Sequence, residues 1–480
     1  MTDPQDAGLS PPPGHAGFKN RADGEAGLRR ELSARQLAMM GLGCTIGTGL
    51  FLGSAISVKL AGPAVILSFL GGAFIALTVM WALAEMSVEH PTAGSFGLHA
   101  EIYLHPWAGF AIRYTYWLCL VVIIGSEVVA AAIYCQYWFP GVPAWLWITS
   151  FSLAMIYVNT LAIESFASFE FWFAMIKVVT IVIFLVLGAT LVLGFSFRNP
   201  ASLHYTSDGG FFPHGLPGVA LGVTMAIFSY LGLEIVGTTA GEAADPRTAV
   251  PRALRRTLFT LLAFYVGSLG ILVGLMPWTQ VGLGESPFVR VLNQVGIPAA
   301  GHLMNFVVLS AALSSATCNL YFTSRLLFSL SRGGYAPVAF GRLNLRGMPV
   351  SAVLASSLGM AAALILAQLF KSTAFLFMIG VAFFGGPFIW IMILITHLAF
   401  RRAASRSHKT ILRFAPPGPW TSLLGLAALL GVLLSTWWVP GFRITLLAGP
   451  SWVLFITLCY LVWRKVHGRS HVPAPSRNST

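Results

Sequence analysis

Apolar stretches of about twenty residues recur along nearly the whole chain. Short polar or proline- and glycine-bearing pieces such as FPGVP (Phe139–Pro143) and HPTAG (His90–Gly94) separate them. A bilayer core about 30 Å thick is crossed by about 20 apolar helical residues. Measured against that length, the pattern predicts twelve spans, at 37–57, 62–86, 107–135, 143–163, 169–195, 217–240, 257–279, 300–330, 350–370, 373–399, 420–440 and 445–463. The third and eighth are long enough to tilt or to extend beyond the bilayer. No soluble domain interrupts the series, so residues 37–463 read as one all-α integral membrane domain. Residues 1–36 are polar and proline-rich, with no apolar core behind their basic residues. They read as a disordered cytoplasmic tail and not as a signal peptide, and 464–480 read as a short cytoplasmic C-terminal tail.

Composition agrees with this class. Of 480 residues, 56% are hydrophobic and only 9% charged, whereas a soluble domain carries roughly 25% charged residues. The net charge of +13 suggests nucleic acid only until the charges are placed. With the N-terminus inside, 22 of the 29 Lys/Arg fall in the tails and even-numbered loops, and five fall on the opposite side. That is the positive-inside asymmetry. It puts both termini in the cytoplasm of a plasma (inner) membrane protein and reserves for the basic surface only a secondary attraction to anionic membrane lipids. The five cysteines all lie within apolar runs without metal-ligand spacing and read as small buried hydrophobes. No cofactor motif or metal-binding set is found.

Two spans depart from the apolar pattern. GLGCTIGTGLF, Gly41–Phe51, carries four glycines, two threonines and a cysteine. Alone it also suits a close-packing face, since Gly43 and Gly47 form a GxxxG pair. Five spans later FSYLGLEIVGTTAGE, Phe228–Glu242, puts Gly232, Gly237 and the acid Glu234 into another apolar run. In lipid an irregular backbone is tolerated only where it is buried in protein or lines a cavity. Paired interruptions in two halves of a chain point to a transporter site on an inverted repeat, here spans 1–5 and 6–10 with 11 and 12 appended. The N–H groups freed by a break favour an anion, and the freed carbonyls take an ammonium. That combination suits an amino acid. Thr48, between Gly47 and Gly49, is placed to add a hydroxyl to the anion nest, and Phe228 to close an aromatic face over the substrate.

Several separated motifs resemble one family. They are IGTGLFLGS (Ile46–Ser54), AGP (Ala61–Pro63), EFWFAMIKV (Glu170–Val178), the Phe228–Glu242 stretch, SPFV (Ser286–Val289) and SRLLFSLSRGGYAP (Ser324–Pro337). In this order they are similar to the amino acid–polyamine–organocation superfamily, in its bacterial amino acid transporter branch. The resemblance implies a LeuT-type fold of twelve helices with a 5+5 inverted repeat and broken helices 1 and 6. It implies that the Gly47–Thr48–Gly49 amides bind a carboxylate and that carbonyls near Thr45, Phe228 and Leu231 bind the amino group. Ile46 and Gly232 complete the candidate set within the two breaks. Thr317 joins it from span 8, where relatives usually have Asn, which bears on substrate range. The polar pocket candidates are nearly all uncharged, which favours neutral or aromatic amino acids.

Charges inside the spans complete the reading. Glu234 has two roles open to it: a proton acceptor, or a strut that binds N–H groups freed by the break. Glu127 of span 3 is either a structural hydrogen-bonding group or a contact for substrate or proton. Lys177 lies about eight residues into span 5, where it either snorkels to the interface or stays buried. In sodium-coupled members of the fold a cation lies between helices 1 and 8. In some proton-coupled relatives a helix-5 lysine stands there, and Lys177 resembles it. Proton coupling follows from that resemblance. Glu85 and Arg113 read as solvated or interfacial helix-end anchors. The histidines, mostly in loops and tails, form no catalytic cluster, and no nucleotide-binding domain is present, so the chain reads as a secondary transporter and not an enzyme. An exchanger, or a non-transporting amino acid sensor on the same scaffold, is the alternative.

Overall fold

The structure is a computed structural model that describes residues 33–91, 95–160, 163–193, 204–238, 245–294, 296, 298–344, 347–370, 373–406, 414 and 418–466. The tails expected at 1–36 and 464–480 lie almost wholly outside these residues. Every regular element among the described residues is helical. Among the described residues, nine runs are long and apolar enough to cross a bilayer. The first, Leu37–Glu89, is 53 residues long; as one straight helix it would measure about 80 Å, more than twice the hydrocarbon thickness. It is instead divided into α1 (Ala34–Thr45), a π-helical turn at Gly49–Gly53, α2 (Ser54–Ala61) and α3 (Val65–Glu89). Gly62 separates α2 from α3 with φ +62°, a conformation glycine adopts without a Cβ penalty.

Then follow α4 (Ser95–Tyr103), α5 (Pro106–Gln136), α6 (Ala144–Asn159) and α7 (Ile163–Val192). The second half begins with α8 (Gly215–Tyr230), α9 (Ile235–Thr238), α10 (Pro246–Leu275), α11 (Pro287–Gln294) and α12 (Pro298–Arg332). It ends with α13 (Val350–Ser356), α14 (Leu358–Phe370), α15 (Ala374–Phe383), α16 (Gly385–Arg406), α17 (Trp420–Ser435) and α18 (Arg443–Val466). Local chemistry sets several starts. His105 caps α5, its Nδ1 accepting from Trp107 N–H at 3.1 Å, with Pro106 at the first helical position. Asp245 and Pro246 do the same for α10. The expected long spans 3 and 8 are α5 and α12, of 31 and 35 residues.

Two packed groups meet at the centre. One consists of α2, α3, α8 and α10; the other is built on the long seam between α5 and α12, with α6 and α14 beside it. α1 lies between them, against α10, α7 and α12. The outer faces of α7, α14, α17 and α18 carry exposed Ile, Leu, Val, Phe and Trp, including Ile183, Val186, Leu430 and Leu458. A lipid-facing surface accounts for that distribution.

Two expected anchors are buried instead. Glu85, 1% exposed, accepts hydrogen bonds from Arg401 Nε (3.0 Å) and Nη2 (2.7 Å) and from the Phe414 N–H (2.9 Å), with His397 Nε2 2.8 Å away. Arg113 is paired with Glu101 at 2.5 Å, and Glu101 also accepts from the Tyr335 hydroxyl at 2.8 Å. Each charge is buried because a partner from another element replaces its hydration.

His99, on α4 outside the membrane-crossing runs, is fully buried. Its Nε2 lies 3.0 Å from the His90 carbonyl, and its Nδ1 is buried without a partner. Burial pushes its pKa from 6.5 down to about 4, against the pull of that carbonyl. The unfolded chain therefore binds a proton in this window and the folded chain does not. The stability involved is complete above pH 6.5 and is lost as pH falls toward about 4. The thermal midpoint of solubilised protein should fall across that window, and less in His99→Gln, which keeps a donor toward His90 and cannot titrate.

Candidate functional site

Both predicted interruptions are present, and they touch. α1 ends at Thr45, the chain bends at Ile46–Gly47, and the π turn begins at Gly49. α8 ends at Tyr230; Leu231 is extended (φ −62°, ψ 141°) and Gly232 has φ +104°. A Cβ on Gly232 would stand 2.9 Å from Thr45 Oγ1, and one on Gly49 would stand 3.1 Å from Ser229 Cα. The two breaks thus approach each other backbone to backbone, at distances that side chains larger than hydrogen would block. Tyr265 of α10 secures the crossing, its hydroxyl 2.9 Å from the Ser229 carbonyl and 3.4 Å from that of Thr45.

The freed groups are partly occupied. The Gly47 N–H turns back to the Thr45 carbonyl at 3.0 Å. The Thr48 N–H points to the Glu127 carboxylate, 3.3 Å from each oxygen. Ser315 of α12 donates to Glu127 Oε1 at 3.0 Å, and Asn319 Nδ2 donates to Ser315 Oγ at 3.3 Å. The Thr48 hydroxyl is buried beside this carboxylate without a hydrogen bond of good geometry. Glu234 braces the other break. Both its oxygens accept from the Gly232 N–H at 3.1 Å, and they also accept from the Tyr116 hydroxyl (3.0 Å) and Trp390 Nε1 (3.1 Å).

Between the breaks lies a cavity of about 30 Å³ whose walls include Gly47, Gly49, Tyr116, Ile123, Phe228 and Leu231, together with both acids. One water needs about 10–15 Å³ of such space, so the cavity admits a few waters and must widen for anything larger. Lys177, of α7, is fully buried. Its Nζ donates to the Gly43 carbonyl at 2.6 Å, on the last turn of α1 before the break.

The sequence matches the amino acid permease family over residues 36–474. It is 37% identical to the uncharacterized amino acid permease YtnA of Bacillus subtilis (strain 168), covering 94% of this chain and 98% of that one. The chain belongs to the amino acid permease family. Identity is 36% to the gamma-aminobutyric acid permease of the same organism, over 92% of this chain and 95% of that one. It is 37% to the aromatic amino acid transport protein AroP of Escherichia coli (strain K12), over 91% and 96% respectively. The family is one of membrane permeases and not of enzymes, and its membership accords with the all-helical, LeuT-type architecture.

In this permease the structure brings most of the sequence-predicted residues together. Thr45, Gly47, Gly49, Phe228, Leu231, Gly232, Glu127 and Glu234 all line the cavity. Thr48 does not line it, but its N–H meets Glu127, which does, and Ile46 is packed in the core. Thr317 does not line it: its hydroxyl is bonded to the Leu313 carbonyl at 2.7 Å, while Ser315 and Asn319 face the site. Residues two apart on a helix point to opposite sides, and residues four apart share a face. The polar Ser315–Asn319 spacing was therefore the available signal. Likewise, stepping back from Glu127 by threes and fours reaches Ile123, Leu120 or Cys119, and Tyr116, all on the cavity wall. Snorkelling of Lys177 is excluded by its contact with α1. The reading of all five cysteines as small buried hydrophobes also changes for two of them. Cys44 and Cys318 form a disulfide, with Cα atoms 5.9 Å apart, joining α1 at the break to α12. Their separation of 274 residues hides the pairing from any local pattern.

Proposed function

We propose that this permease carries neutral or aromatic amino acids inward across the plasma (inner) membrane, driven by the proton gradient. In this reading it has twelve crossings, a 5+5 repeat and both termini in the cytoplasm. The observation that carries the coupling is the Lys177 ammonium on the Gly43 carbonyl, beside the break in α1. A buried ammonium needs a partner; losing and regaining its proton would release and restore this tie as the two helix groups move. A fixed positive charge there would also repel sodium. Glu234 acts as a gating strut, holding the α8–α9 break to α5 and α16. The substrate carboxylate takes the Thr48 amide and the amino group takes the carbonyls of the two breaks. Phe228, Tyr116, Ile123 and Leu231 offer the side chain an aromatic and apolar wall, and among the residues lining the cavity none is Lys or Arg. The named relatives that transport aromatic amino acids or gamma-aminobutyric acid support this substrate class.

Purified protein in liposomes decides the matter. With an imposed pH gradient, acid outside, it should accumulate labelled L-phenylalanine, and competition by the twenty amino acids and GABA should rank neutral and aromatic ones first. Binding without uptake would make it a sensor. Uptake that requires a counter-substrate inside would make it an exchanger.

A further inference from the structure

Glu127 stands where the substrate carboxylate is expected. Its Oε1 lies 2.5 Å from the point a Gly47 Cβ would occupy, and its two oxygens share the Thr48 N–H at 3.3 Å each. Charge-assisted bonds normally close to about 2.7–2.9 Å, so the side chain fills the nest without gripping it. A substrate carboxylate on the Thr48 N–H would stand against the Glu127 oxygens that now share it, and two carboxylates about 3 Å apart do not both stay ionised. Glu234 has fixed donors in Tyr116, Trp390 and the Gly232 N–H. Glu127 has Ser315 and one N–H that the substrate itself requires.

We propose that Glu127 is a resident anion of the nest, and that an amino acid carboxylate takes its place only as Glu127 takes up a proton. Substrate binding and proton binding are then one event at one site, separate from the release of Lys177. The charged and titratable groups facing Glu127 are Lys177 from α7, Tyr134 from its own helix, and Glu234, Tyr116 and the free thiol of Cys119 on the same cavity's walls. α12 presents the uncharged Ser315 and Asn319, and on α1 the Cys44 sulfur is bonded to Cys318. Once protonated, Glu127 becomes a donor, able to turn its O–H toward the incoming carboxylate or toward Ser315. The selectivity consequence is that a ligand lacking a carboxylate neither displaces Glu127 nor draws a proton.

This inference rests on the reading that an amino acid binds here, and calorimetry separates the two. L-Phenylalanine is titrated into detergent-solubilised protein in phosphate and in Tris, whose ionisation heats differ. The expected result is uptake of about one proton per ligand and an affinity that weakens about tenfold per pH unit on the alkaline side. Glu127→Gln should abolish both effects while still binding the ligand, and Glu127→Asp should restore them. Equal heats in the two buffers with intact wild-type binding would overturn the proposal whether or not the variants fold, as would undiminished proton uptake in Glu127→Gln. No binding at any pH would overturn the neutral amino acid reading and this inference with it.

Discussion

Replacing Gly47 by leucine is expected to abolish amino acid binding while leaving the permease folded in the membrane. A Cβ alone at this position would stand 2.5 Å from Glu127 Oε1 and 2.7 Å from Ser315 Oγ, closer than real contacts allow. The remaining carbons would enter a cavity of about 30 Å³ and fill the space that a carboxylate needs beside the Thr48 N–H. Hydrogen bonds to charged groups contribute about 1.5–3 kcal/mol each. Loss of the Thr48 N–H contact alone therefore weakens binding by about ten- to a hundredfold, and exclusion of the carboxylate from the filled cavity removes the rest. Size-exclusion behaviour should stay close to wild type, because the change falls at a cavity wall and not in the filled core. Gly53→Ala is the control. Its Cβ meets the mobile methyl end of Met225 at 2.5 Å, away from the cavity, and uptake should persist. Uptake that survives Gly47→Leu would reduce the break in α1 to a packing device.

The second large effect is on coupling. Lys177→Ala should lose gradient-driven accumulation while still exchanging labelled for unlabelled substrate at equilibrium. The ammonium is fully buried with the Gly43 carbonyl 2.6 Å away, so its charge state and the position of α1 are linked. Without it, α1 keeps its break and its cavity but has no titrating tie across to α7. Moving one charge through 100 mV is worth about 2.3 kcal/mol, which supports roughly fifty-fold accumulation; the variant should fall to near unity. In the wild type, an imposed pH gradient should drive uptake and an imposed sodium gradient should not. Uptake that follows sodium and ignores pH would remove Lys177 from the mechanism.

Much of this architecture was legible in the amino-acid order because lipid is a uniform solvent. Each crossing must satisfy its own backbone, so a long apolar run declares a helix by local hydropathy, and a break shows in the glycines that interrupt it. Gly47, Gly232 and Glu234 could be singled out for that reason. The contacts that give these residues their roles could not. Glu127 meets Thr48 across 79 residues, Lys177 meets Gly43 across 134, and Glu85 meets His397 across 312. None of these distances leaves a periodic trace.

Arg113 and Glu85 show the same limit from the other direction. A charge near a helix end looks solvated in sequence, and only the arrival of Glu101, Arg401 or the Phe414 amide makes its burial affordable. Thr317 shows it at the scale of one turn, since helix rotation sends Ser315 and Asn319 to the cavity and the threonine away from it. The sequence by itself therefore determined the all-helical membrane class and the two breaks, because hydrophobic length and backbone satisfaction are local requirements. Tertiary structure alone decided that the breaks cross at Gly232 and Thr45, that Glu127 meets the Thr48 N–H and that Cys44 joins Cys318. Desolvated charges and close backbone approaches exist only where elements distant in the chain are packed together.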